Sequence, residues 1–239
     1  MPDKRPLLAV LIDADNTSPK HAAAIFEEVA RFGEASVRRI YGDFASNQLA
    51  GWNRVLLEHG LNPQQSPAYT TGKNSSDIAL VIDAMDLLHT DRFQGFVLVS
   101  SDSDFTSLAA RIREQGVDVY GIGQKKTPDA FRRACKRFIF VENLGDTAET
   151  TPTPSDGPKG ETKEAPQDVI PLVLAAMRSI DPDADWYTLG QLGQYLVSAT
   201  PEFDPRTYGS AKLSDLLRKS GRFEVAQRQG NHLEVRRLD

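Results

Sequence analysis

Two Asp-x-Asp pairs, Asp13-Ala14-Asp15 and Asp102-Ser103-Asp104, each follow closely on an apolar run, LLAVLI (residues 7–12) and FVLVS (96–100). Continuous apolar runs of this length are the pattern of strands buried on both faces. Ligands of an open parallel sheet bind beyond the carboxyl ends of its strands, so both pairs are expected on one rim. Another acid, Asp77, opens a helix after the loop Gly72-Lys73-Asn74-Ser75-Ser76. Helix capping accounts for one terminal Asp, such as Asp77 or Asp104, but not for two pairs on separate strands. Four or five carboxylates in one cleft raise one another's pKa, and a bound cation makes the crowding tolerable. Oxygen-only ligands suit Mg²⁺ or Mn²⁺, which keep waters and a substrate phosphate in their shell. The expected chemistry is metal-dependent phosphoester hydrolysis. Asp13, Asp77, Asp102 and Asp104 are its catalytic metal ligands; Asp15 is either a further ligand or a support for Asn16 and a metal-bound water.

Neighbouring residues extend the site. Lys73 either counters the carboxylates, holds a substrate phosphate as a point charge, or is a solvated loop residue. Asn16 orients a ligand or substrate, or makes an Asx turn before Ser18. Asp43, just after residues 36–41, is placed on the same rim, whereas Asp83 on the Asp77 helix reads as a solvated surface acid. Residues 111–137 hold eight Lys/Arg against three acids. Within them Lys125, Lys126, Arg132 and Arg133 either lead a nucleic-acid strand to the metal or form a solvated helix face.

Positioning these groups requires alternating strands and helices. Strand patterns at 7–12, 36–41, 96–100, 117–122 and 137–141 are separated by helical patterns, including one that Ser18 caps with Pro19 at its first position. Such alternation means an α/β fold, a parallel sheet flanked by helices on both faces. Residues 147–166, with four prolines and five threonines, have too little apolar surface for a core and read as a flexible linker. They separate a domain at 1–146 from one at 167–239. The latter has helical patterns at 167–179, 189–198 and 210–219. Two short strands joined through Gln229-Gly230-Asn231 follow, a small winged-helix-like α+β pattern.

Composition bounds the partners. The 239 residues carry a net charge of −5, and neither domain nor the linker is basic overall, which argues against coating nucleic acid by bulk attraction. The one cysteine, Cys135, excludes an internal disulfide. The N-terminus lacks a signal-peptide pattern, and no apolar stretch approaches the roughly 18 residues of a membrane span. A soluble cytoplasmic protein with no membrane partner is expected.

Residues 7–144 resemble the NYN domain, a branch of the PIN-like nuclease superfamily with a Rossmann-like sheet. The resemblance rests on DADN (13–16), GKNSSD (72–77), FVLVSSDSDF (96–105), GVDVYGIG (116–123) and FIFVENL (138–144). It implies a Mg²⁺- or Mn²⁺-dependent ribonuclease, an endonuclease, with its carboxylates on Asp13, Asp77, Asp102 and Asp104. Residues 167–239 resemble a LOTUS (OST-HTH) domain through LGQLGQYL (189–196), FDPRTYGSAKLSDLLRKSGRFEV (203–225) and HLEVRR (232–237). That resemblance implies a partner that is RNA, single-stranded or structured, or in some members a protein. Arg206, Tyr208 and Lys212 would supply phosphate contacts and a stacking ring. Two alternatives stand beside this reading. One is a non-catalytic RNA-binding scaffold; the other is a haloacid-dehalogenase-like phosphatase, whose D-x-D-x-T opening Asp13–Thr17 also fits.

Overall fold

Buried on both faces, Leu7–Asp13 (β1) lies third in a six-stranded sheet, and this is why its sequence is apolar almost throughout. Alternate side chains serve different layers: Ala9 and Leu11 join one apolar core, and Leu8, Val10 and Ile12 the other. The structure, a computed structural model, describes residues 5–65, 75–145, 163–228 and 232–238. It divides into two units, Met1–Gly145 and Asp146–Asp239.

In the first unit, β1 is followed by α1 (Ala22–Phe32), β2 (Glu34–Gly42), α2 (Trp52–His59), β3 (Asn62–Gln65) and α3 (Ser75–Leu88). Then come β4 (Gly95–Val99), α4 (Thr106–Glu114), β5 (Asp118–Gly123), α5 (Asp129–Ala134) and β6 (Arg137–Phe140). All strand pairs are parallel, in the order β3-β2-β1-β4-β5-β6. Helices α3, α4 and α5 pack Leu80, Leu108, Ile112 and Phe131 on one face. The other face is covered by α1 and α2 through Ile25, Val29 and Trp52. Strand order reverses between β1 and β4, the topological switch point at which such sheets bind ligands. The register pairs Ile12 with Val99, which brings the next residues, Asp13 and Ser100, level at the carboxyl edge.

Two local features depart from the sequence reading. Strand β3, Asn62-Pro63-Gln64-Gln65, has no apolar alternation; as a short edge strand it can carry proline. Before α1 the chain makes a 3₁₀ turn at Pro19–His21, and the Ser18 side chain makes no capping hydrogen bond.

The second unit contains α6 (Ile170–Ile180), β7 (Tyr187–Thr188), α7 (Leu189–Ala199), α8 (Leu213–Lys219), β8 (Phe223–Gln227) and β9 (Leu233–Arg237). Its strands form an antiparallel sheet in the order β7-β9-β8. The helices close over its inner face with Val173, Leu192, Leu196, Leu216 and Val235 fully buried. This is the small α+β unit expected, with β7 added. The Gln229-Gly230-Asn231 connection lies outside the described residues. Among those described, no helix is long and apolar enough to cross a membrane.

Candidate active site

At the end of β1, Asp13 is 1% exposed, an environment that disfavours its charge unless donors surround it. It has four. The N–H groups of Asp15 and Asn16 donate to Oδ1 at 3.1 and 3.2 Å. Asn16 Nδ2 and Ser100 Oγ donate to Oδ2 at 2.8 and 2.7 Å. Burial raises the Asp13 pKa, the bonds from Ser100 and Asn16 pull it back, and the charge of Asp15 adds to the rise; the net shift is upward. Asn16 thus grips Asp13 directly.

Ser100 joins the two strand ends: its Oγ also accepts the Asp102 N–H at 3.1 Å. Asp102 in turn caps the turn Ser103–Phe105, its Oδ1 accepting the Asp104 N–H at 2.9 Å. Close packing behind this rim requires Gly123, where a Cβ would stand 2.5 Å from the Ser100 carbonyl oxygen. From α3, Ser76 Oγ donates to Asp15 Oδ2 at 3.2 Å. Asp77, in the first turn of α3, has its carboxyl pushed up to about 6. Burial is the largest cause, followed by the charges of Asp13, Asp102, Asp15 and Asp104. Asp77 thus feels the charges of the other four acids across the switch point. Among the described residues, no three acidic, histidine or cysteine side chains are grouped to hold one ion by themselves.

Asp83 is not the solvated acid expected from sequence. Tyr41 Oη donates to its Oδ2 at 2.6 Å, and Arg39 pairs with the same oxygen at 2.7 Å. Burial and the Asp83 contact raise the Tyr41 phenol well above its ordinary range. This cluster fastens α3, and Asp77 with it, to β2. Asp43 is engaged away from these acids, accepting from the Ala45 N–H in its own loop and from Gln65 Nε2 at the end of β3.

The basic candidates lie in the segment from the β5–α5 loop through α5. The Gln124 N–H donates to Ser101 Oγ at 2.9 Å and the Lys125 N–H to Glu142 Oε1 at 3.0 Å. These bonds hold the Lys125-Lys126 loop against the rim. Arg132 pairs with Asp129 and lies 5.7 Å over the Phe140 ring; Arg133 is exposed. Lys73 lies outside the described residues. In the second unit, Asp204 accepts from the Arg206 guanidinium at both oxygens, at 2.6 to 3.0 Å. Tyr208 is half-buried beside Phe203, its phenol pushed up to about 12 first by burial and then by Glu164, Asp168 and Glu202. Lys212 is exposed before α8.

Sequence reasoning missed Ser100, Ser76 and the Arg39–Tyr41–Asp83 cluster. For the cluster, the helix position of Asp83 pointed toward solvent, and its partners Arg39 and Tyr41 come from β2. Ser100 becomes meaningful once β1 and β4 are paired.

An open parallel sheet with an acidic switch point places the first unit among Rossmann-like α/β proteins. Within that class the chain belongs to the NYN-domain family: the NYN domain model matches residues 7–142. This makes the first unit a nuclease-type domain of the PIN-like superfamily. An OST-HTH/LOTUS domain model, of an RNA-binding type, matches residues 161–235. Among solved structures, a protein of unknown function from Vibrio parahaemolyticus is 18% identical, covering 58% of this chain and 94% of its own, with a TM-score of 0.50. That likeness is one of fold. An uncharacterized protein from Nitrosomonas europaea is 32% identical over 39% of this chain and 91% of its own, with a TM-score of 0.28. No curated protein matches the chain.

Proposed function

We propose that the protein is a metal-dependent ribonuclease that cuts RNA phosphodiester bonds internally, with its C-terminal unit as a second RNA contact. The observation that carries this reading is geometric: Ser100 bonds both the Asp13 carboxylate and the Asp102 backbone at the switch point, and Ser76, beside Asp77, bonds Asp15. An RNA phosphate cannot approach the five acids of this rim without a cation between them.

The donor set fits Mg²⁺ or Mn²⁺. All its atoms are oxygen, and Mg²⁺ is usually bound by one or two carboxylates plus waters and substrate phosphate, so no cage of three protein ligands is required. Asp13 and Asp102 would hold the ion, with Asp77 and Asp104 beside them and Asp15 positioning water. Bound there, it would help to deprotonate water and stabilise charge on the scissile phosphate. The chain's own contribution is orientation. Ser100 and Asn16 fix both oxygens of Asp13, Ser100 also sets the Asp102 backbone, and Ser76 ties α3 to Asp15. Lys125, Lys126, Arg132 and Arg133 would guide the RNA backbone, with Lys73 on a phosphate.

The phosphatase alternative lacks support in the fold. Residues 14–18 alone separate β1 from the Pro19–His21 turn, which leaves no room for the flap such enzymes insert there.

The test is cleavage of end-labelled single-stranded and hairpin RNA by the full chain. Internal cuts are expected with Mn²⁺ or Mg²⁺ and none with EDTA. Asp13→Asn and Asp102→Asn should each lower the rate by about 100-fold or more. Equal cleavage by variants and wild type would defeat the assignment; binding without cleavage would favour the scaffold.

A further inference from the structure

We propose that the outer face of the three-stranded sheet, centred on Trp186, is a platform for unpaired RNA bases. The inference rests on the RNA reading above and names a surface for it different from Arg206 and Tyr208.

Strand alternation creates this face. Tyr187 pairs with Val235 and Val225 with the same residue, and all three pack toward the core. The adjacent Trp186 and Arg236 must then stand on the opposite side, where Arg236 pairs across the strands with Glu224. The Arg228 and Arg236 guanidinium carbons lie 4.5 and 4.9 Å from the indole centroid. Arg236 is held by Glu224 at 2.7 Å and Arg228 lies 3.8 Å from Glu234, so carboxylates fix where both planes sit. At the β7 edge of this face, where α6 meets the sheet, lies a groove of about 530 Å³ lined by Met177, Arg178, Trp186, Arg236 and the acids Asp183 and Asp185.

The mixture of groups selects the ligand. Indole and guanidinium planes stack on the π-face of any base. Asp183 and Asp185 repel phosphate but accept hydrogen bonds from exocyclic amino groups. With acids and arginines interspersed, the surface is poor for gripping a backbone and suited to unpaired bases. The residues expected from sequence to take that part are engaged elsewhere, Arg206 with Asp204 and Tyr208 beside Phe203.

Tryptophan emission provides the test, because the chain has two tryptophans and the other, Trp52, is 1% exposed. The full chain carrying Asp102→Asn, in EDTA to silence cleavage, is titrated with single-stranded oligoadenylate. Saturable quenching is expected, absent in an added Trp186→Phe. Trp186→Ala should weaken binding about ten-fold, and Arg236→Gln by less. Duplex RNA, whose bases are already stacked, should bind more weakly at this face. Circular dichroism and melting of Trp186→Phe and Arg236→Gln check that both fold. Single-stranded RNA that binds without moving Trp186 emission, or that binds the folded variants as tightly as their parent, overturns this inference and leaves the nuclease reading intact. A wild-type chain that neither cleaves nor binds RNA overturns both.

Discussion

The switch-point rim of the first unit and the outer sheet face of the second concentrate charge in opposite ways. At the rim, five acids of one sign gather, with four donors set on Asp13. On the sheet face, Arg228 and Arg236 are set against Glu234 and Glu224 around an indole. On the proposed reading the first region would take a cation and act on phosphate, whereas the second, its charges internally neutralised, would act by stacking. A single chain can thus meet one RNA through two kinds of chemistry, provided that the two surfaces fail independently.

The most severe break is to remove the cation or a carboxylate that would hold it. Chelation, or Asp13→Asn, should abolish cleavage while leaving oligoadenylate quenching of Trp186 within about two-fold of the parent. Simultaneous loss of both in a folded variant would show that the regions are not separate. Salt sharpens the same contrast. RNA retention through Lys125, Lys126 and Arg133 should fall steeply with salt, while binding at Trp186 should give a log–log slope no steeper than about −1. Paired titrations of the Trp186→Phe and Lys125→Ala/Lys126→Ala chains measure the two slopes.

A smaller effect is expected at Ser100. Ser100→Ala deletes the 2.7 Å bond to Asp13 and the acceptor for the Asp102 N–H. Mn²⁺ affinity should drop about 10- to 100-fold, as for other groups that orient metal ligands. Calorimetric titration with Mn²⁺ reads this without reference to turnover. Unchanged affinity would remove Ser100 from the positioning role. Tyr41→Phe, which strips one bond from Asp83 but leaves Arg39 in place, should cost about 1 kcal/mol of stability by denaturant unfolding.

Most of the first unit's fold was legible because burial on both faces writes itself as an apolar run. LLAVLI and FVLVS announce β1 and β4, and an acid after each announces the rim. Strand β3 was hidden because an edge strand needs neither apolar alternation nor every N–H, and Pro63 reads as a break. Ser100 was hidden for another reason. A serine after a strand has no distinctive chemistry until the register sets it level with Asp13, 87 residues away in sequence. Asp83 misled because its helix position favours solvent, while its partners Arg39 and Tyr41 come from β2. The sheet face of Trp186 was also missed: β7 is two residues long, too short for any periodicity to show which side its neighbours take.

The mildest prediction concerns how the acid rim costs stability when no cation is present. Asp77 has its carboxyl pushed up to about 6 from an ordinary 3.8, so the folded state disfavours its charge relative to the unfolded chain. Above about pH 6 that penalty is fully present. As pH falls from about 6 toward 4, the folded state takes up the proton before the unfolded state does, and the penalty is relieved. Asp77→Asn carries no such charge, so in EDTA at pH 7.5 it should be more stable than wild type. The gain is about 1 kcal/mol once the linkage is discounted for the solvent screening of a partly exposed group. The difference should shrink as pH is lowered to about 4, and at pH 7.5 Mn²⁺ should stabilise the wild type more than Asp77→Asn. Urea unfolding across this range decides it. If Asp77→Asn is no more stable at pH 7.5, or its advantage does not vary with pH, the acids do not crowd one another in the way that calls for a cation.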